Sequence, residues 1–411
     1  MAVISHPYDL TAVYPHISKP HPIHRNIKFN LYELTFYGRA LNTKGPMTTH
    51  LNVIKTLGFI TFLAALATGC SKQSAATPAE AQDFFTTVVP ANWQAEFTLG
   101  GNTLADCEKS LSQAVCETDA STQDIQVNLT GVQCSANSKN YLPTLMKIVG
   151  EMPERLRPSI CSVYRLFISD NIPSTAFASP ILNSATGRMQ GAYIGSRKST
   201  FLQQPSISAL ATWKEQLVFG GSEQFLSNDP QLVQLDYGLK TSMSGRDGLF
   251  YVLVHELGHL IDFNNTINQT DCGNGLNSRN SECRPLAGTW GTMSWEKTST
   301  PLAGFEYYMR EFFCFYDCDS HVDIKNATSI YQSMQQSAFL TSYSGVNPME
   351  DFAEFWAWYV MIHYKDPHFK ITVPGGAEID MNLAFTQNPK IMRKLEYIDR
   401  LWNLPNLKIR N

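Results

Sequence analysis

Two histidines one helical turn apart, with a glutamate beside the first, stand at His255, Glu256 and His259. At about 100° per residue, His255 and His259 fall roughly 40° apart on one helix face, so both imidazoles can reach a single ion. Neutral imidazole nitrogens suit zinc, and a carboxylate next in sequence can take a proton from water. Glu256 sits roughly 100° round the helix, beside the metal rather than on it, while Asp262 returns to the histidine face. Phe250, Leu253, Leu257 and Leu260 lie opposite, as a core-facing stripe should. The bare pattern also arises by chance, and core helices do hold paired histidines. Here the flanking positions from Val252 to Ile261 are uncharged, which sets the polar residues on one side.

Catalytic zinc takes three protein ligands and keeps a position open for water. The residues just after the motif do not complete the set. Asp262 and Asn265 stand where the extended metzincin pattern has Gly and His. His321, His363 and His368 remain open as ligands but sit in no pattern. A second helix from Pro348 to Tyr364 offers more. Asn347 can cap it, Pro348 suits its first position, and Asp366-Pro367 ends it. Glu350 and Glu354 share a face at i, i+4, so one carboxylate can bind the ion and the other orient a ligand histidine. Glu350 is also three residues after Asn347, where a capping box would use it. Phe352, Phe355, Trp356 and Tyr359 read as core packing.

The stretch Tyr343-Ser-Gly-Val-Asn-Pro-Met-Glu350-Asp-Phe-Ala-Glu354, together with the His-Glu-x-x-His motif and Asp262, resembles the gluzincin subgroup that contains anthrax toxin lethal factor and the Pro-Pro endopeptidases. The resemblance covers roughly residues 190–370. It implies one zinc ion per chain on His255, His259 and Glu350, with Glu256 as general base and Tyr343 supporting the transition state. Glu354 and Asp262 would stand behind the ligands. It also implies an α+β, zincin-like metallopeptidase domain: a small mixed sheet, the motif helix and a second, mostly helical half. The substrate would be a peptide or protein.

Other elements must position these residues. Val163–Ile168 and Gly191–Gly195 are strand candidates, the second as an edge strand that would hold substrate by β-augmentation. Ser206 to Phe219 has helical spacing and stops at Gly220-Gly221. Leu142–Val149 is helical until Met152-Pro153, and Pro389–Trp402 forms a last helix. Residues 84–160 read as a small cysteine-containing N-terminal subdomain, and 161–411 as the catalytic domain.

The chain has 411 residues, 17% charged and 43% hydrophobic, with a net charge of −4 and no basic block that would suit nucleic acid. Residues 1–46, with His6, His16, His21 and His24, read as an over-extended start with Met47 as initiator; the alternative is a histidine-rich metal tail. From there to residue 69 runs an export signal: His50 and Lys55 precede the apolar segment from Leu57 to Thr68, which is too short to span a bilayer. It ends Leu66-Ala67-Thr68-Gly69-Cys70, which resembles the bacterial lipobox and implies a diacylated Cys70. Residues 70–83 would be a flexible tether. The expected location is the bacterial cell envelope, with the chain lipid-anchored at the outer membrane. Cys70 aside, eight cysteines remain, an even number that suits an oxidising compartment. Nearest-neighbour pairing gives 107–116, 134–161, 272–283 and 314–318. The sequence leaves oligomeric state open.

The leading expectation is therefore an exported zinc metalloendopeptidase. The alternative is a non-catalytic surface lipoprotein, adhesin or scaffold, with structural zinc on the same fold. A structural site needs neither Glu256 nor Tyr343. A zinc hydrolase acting on a non-peptide amide is the third reading.

Overall fold

A computed structural model describes residues 87–89, 103–239, 246–272, 281–316 and 318–404. The expected signal segment, Cys70 and the tether lie outside the described residues. In chain order the elements are β1 (Thr87–Val89), α1 (Leu104–Ala114), β2 (Val115–Glu117), α2 (Thr122–Val127), α3 (Leu142–Glu151) and α4 (Arg157–Cys161). Next come β3 (Arg165–Ser169), β4 (Ala176–Asn183), β5 (Met189–Arg197), α5 (Lys198–Gln203), α6 (Ile207–Val218), β6 (Gln234–Leu239) and α7 (Asp247–Asn265). The rest comprises β7 (Trp295–Lys297), β8 (Thr300–Pro301), α8 (Ala327–Gln336), α9 (Pro348–Lys365), β9 (Pro367–Thr372), β10 (Glu378–Asp380), α10 (Asn382–Gln387) and α11 (Pro389–Asn403). The described residues are 49% helical and 17% strand, which makes the fold mixed rather than all-α or all-β.

The main sheet has the order β1-β4-β5-β3-β2, with β4 antiparallel to β5 and the other pairs parallel. Period-two alternation gives it two apolar faces. Leu166, Ile168, Ala178, Ala192 and Ile194 join the large core under α7. Phe167, Phe177, Ile181 and Tyr193 join a smaller cluster with Ile125 of α2. A second sheet, β10-β9-β6, is antiparallel throughout. Among the described residues no helix is long and apolar enough to cross a membrane.

Three expectations need correction. The Gly191–Gly195 segment lies in β5, paired on both sides by β4 and β3, so it is an interior strand and not an edge. The neighbouring β4 went unread because Pro180 and small residues interrupt its pattern; Pro180 falls just before the stretch that pairs with β1. The boundary at 160 also fails. β1 and β2 belong to the same sheet as β3–β5, α1 packs on α3, α4 and β3, and the described residues on either side of it belong to one compact unit.

The third correction concerns cysteine pairing. Four pairs lie at disulfide distance: Cys107–Cys161, Cys116–Cys134, Cys272–Cys283 and Cys314–Cys318. The last two match expectation and the first two exchange partners. Strand alternation explains why. Val115 faces the large core with Cys107 and Cys161, whereas Cys116 turns to the opposite face of the sheet. Neighbours in sequence are thus separated by the sheet itself.

The site depends on how closely α7 and α9 approach. Phe250, Leu253 and Leu257 are fully buried on α7, and Phe352, Phe355 and Trp356 on α9. Gly258 makes the contact possible: a Cβ there would lie 3.0 Å from Ala353 Cα and 3.3 Å from Trp356 Cβ. Gly costs a helix roughly 1 kcal/mol relative to Ala, so its place in the middle of α7 reflects packing. Gly258→Val should destabilise the fold by about 1–3 kcal/mol through overpacking, read as a lower urea midpoint. An unchanged midpoint would show slack between the two helices.

Candidate metal centre

His255 and His259 point from consecutive turns of α7 toward Glu350 in the first turn of α9. His255 Nε2 is 3.1 Å from Glu350 Oε2, His259 Nε2 is 3.4 Å from the same oxygen, and the two Nε2 atoms are 3.2 Å apart. A tetrahedral zinc with bonds of about 2.0–2.1 Å separates its ligand atoms by roughly 3.3 Å. The three measured edges therefore fit one ion. Two imidazoles and a carboxylate are also a donor set that zinc favours. All three side chains are buried.

Local chemistry explains why Glu350 is available. Asn347 Oδ1 accepts from the backbone N–H groups of Met349 and Glu350, at 2.9 Å each. This caps α9 without the Glu350 carboxylate, which meets the histidines instead of closing a capping box. Tyr343 lies in the 3₁₀ turn Tyr343–Gly345 before α9, and its hydroxyl is 3.4 Å from Glu350 Oε1.

Glu354, one turn further along α9, approaches His255 Nδ1 with Oε1 at 3.0 Å. Its other oxygen accepts from Thr341 Oγ1 at 2.7 Å and Tyr251 OH at 2.8 Å. A carboxylate so held fixes the imidazole's orientation, with Nε2 on the metal side. Asp262 accepts from the backbone N–H and the side-chain amide of Asn268, both at 2.8 Å, and its charge acts on His259. Tyr251, Thr341 and Asn268 were missed from the sequence. Tyr251 alone gave a local signal, four residues before His255 on the same helix face.

The other histidines stay apart. His321 Nδ1 contacts Leu217 O, His363 Nδ1 contacts Tyr359 O, and His368 Nε2 pairs with Asp236 at the surface. Asp271, Cys272 and Cys283 also cluster, but both sulfurs are engaged in their mutual bond.

Electrostatics follow from burial and the facing charges. Burial pushes the His255 imidazolium down, but hydrogen bonds and charge from Glu350 and Glu354 outweigh it and hold its pKa at about 10. Burial pushes the His259 imidazolium below its ordinary value. Glu350 is driven up by burial and down, more strongly, by the two imidazoles, and ends well below the usual carboxylate range. Glu354 behaves similarly against His255. Glu256 differs: burial raises its pKa to about 8, and its Oε2 has no hydrogen-bond partner. A dication nearby would pull that value down. Burial also keeps the Tyr343 hydroxyl protonated far above its ordinary range.

Compared with family models, curated proteins and solved structures, the chain matches none, so the reading of this site rests on its own residues.

Ligand and support should separate on mutation. Glu350→Ala should abolish stoichiometric zinc in metal analysis of the purified chain. Glu354→Gln should keep zinc but weaken its affinity roughly 10–100-fold. Full zinc in Glu350→Ala would remove Glu350 from the ligand set.

Proposed function

We propose that the chain is a zinc-dependent peptidase with a zincin-like catalytic fold of the gluzincin type. One observation carries the reading: two imidazole nitrogens and a carboxylate oxygen meet at mutual distances of 3.1–3.4 Å. The side chains around that meeting point fit peptide hydrolysis. His255, His259 and Glu350 would hold one zinc ion. Bound there, zinc supplies Lewis acidity to water and to a substrate carbonyl.

The remaining steps belong to the chain's own residues. Glu256, buried and with Oε2 unpartnered, takes the proton from the attacking water. With the C–O bond formed, it returns that proton to the amide nitrogen, and the C–N bond breaks as the C=O bond re-forms and the amine leaves. Tyr343 keeps its proton and donates to the oxygen on which charge develops. Glu354 holds His255 in place throughout, with Tyr251 and Thr341 fixing the carboxylate.

The substrate in this reading is a peptide or protein. The enzyme is exported and tethered through lipid on Cys70 at the bacterial outer membrane, on the grounds of residues 47–70.

Glu256→Gln should retain zinc and lower the rate roughly 10²–10⁴-fold, the loss expected for a general base. Tyr343→Phe should keep zinc and KM while kcat falls roughly 10²–10³-fold. Zinc content measured beside turnover of a mixed peptide library tests both. Stoichiometric zinc without any turnover by the unaltered chain would favour the structural-zinc alternative.

A further inference from the structure

The cleft that holds His255, Glu256 and Tyr343 also contains Lys214, from α6. Its ammonium lies over the Tyr343 ring, 2.9 Å from the centroid, and 5.8 Å from the centroid of Phe315. The Tyr343 ring centre is in turn 6.1 Å from that of His255. Lys214 therefore sits one aromatic ring away from the reacting position. Around it the cleft wall includes Ile207, Leu210, Ala211 and Val252, all apolar.

The carboxylates nearby are engaged elsewhere or stand free of the ammonium. Glu215 accepts from Tyr331 OH at 2.6 Å and from Ser342 Oγ. Glu354 is held by Thr341, Tyr251 and His255, and Glu350 by the histidines and Tyr343. Among the described residues no carboxylate forms an ion pair with Lys214, whose ammonium instead lies against the two aromatic rings. The cleft wall also carries Glu215, Glu256 and Glu354, but a cation held against π faces and partly withdrawn from water is attracted more strongly to an incoming anion than one in bulk water.

We infer that Lys214 is a specificity residue that binds a substrate carboxylate beside the scissile bond. The carboxylate is an Asp or Glu side chain, or the free C-terminus of a peptide. The inference rests on the peptidase reading above, because it takes the cleft as the substrate site. A different role would be balance of the buried charge on Glu256, Glu354 and Glu215, on each of which Lys214 acts. That role would affect all peptides alike, whereas carboxylate recognition discriminates between acid and amide.

The test uses the full chain carrying Glu256→Gln, in which turnover should be slowed roughly 10²–10⁴-fold while the cleft is kept. It is mixed with short peptides that differ at one position as Asp, Asn, Glu or Gln, each with a free or an amidated C-terminus. Retained peptides are counted by mass spectrometry. Acids should be retained roughly 10–100-fold over the matching amides, as for a hydrogen bond to a charged group. Adding Lys214→Met should bring the ratio near one, and Lys214→Arg should preserve it. Preference that follows the side chain identifies an internal acidic residue; preference that follows the free terminus identifies the C-terminal carboxylate. Equal retention of acid and amide, or acid preference that survives Lys214→Met, overturns the inference. The chain with Glu256 intact is assayed in parallel. Acid-selective, Lys214-dependent retention without hydrolysis would remove the peptidase reading and leave this one standing. Hydrolysis without acid preference would do the reverse.

Discussion

Two imidazoles on α7 and two carboxylates on α9 meet inside the protein, at distances set by the packing of one helix on the other. Buried carboxylates are costly unless partnered. Here Glu350 faces both histidines and Glu354 faces one, so each charge is partnered across the helix pair. The contact depends on Gly258, where the backbones come close enough for side chains as short as Glu and His to touch. A wider separation would leave four polar groups buried and apart.

The start of α9 is held from its other side as well. Asp351, next to Glu350, is fully buried and forms an ion pair with Lys394 of α11, with Nζ 2.6 Å from Oδ2 and 2.8 Å from Oδ1. The same Oδ2 accepts from Trp290 Nε1, Trp295 Nε1 and Ser294 Oγ. Lys394 also donates to Ala338 O and lies over Phe355. Removing one partner of such a pair typically costs about 3–5 kcal/mol. The pair thus fixes the first turn of α9 from the side away from the histidines. Stability and site geometry share that turn.

Much of the site was legible because its signals are local. The turn-by-turn spacing of His255 and His259, the Asn347 cap and the Glu350/Glu354 repeat each need only one helix. The same holds for α6, which begins after the Ser206 cap and ends before Gly220 at a φ of +78°. What stayed hidden depends on distant segments. Thr341 and Asn268 reach the site from loops, and Lys214 and Glu215 reach the Tyr343 turn from a helix more than a hundred residues earlier. β4 carries no clear alternation, and the first four cysteines pair by sheet face rather than by sequence distance. Topology decides those features, and periodicity does not encode it.

His255, His259 and Glu350 are proposed to share one zinc ion. X-ray absorption spectroscopy at the zinc edge of the purified full chain tests it most directly. The prediction is one zinc per chain with only nitrogen and oxygen neighbours, at about 2.0–2.2 Å, and the scattering signature of two imidazoles. A sulfur neighbour at about 2.3 Å, or a chain that takes up no zinc, would contradict it.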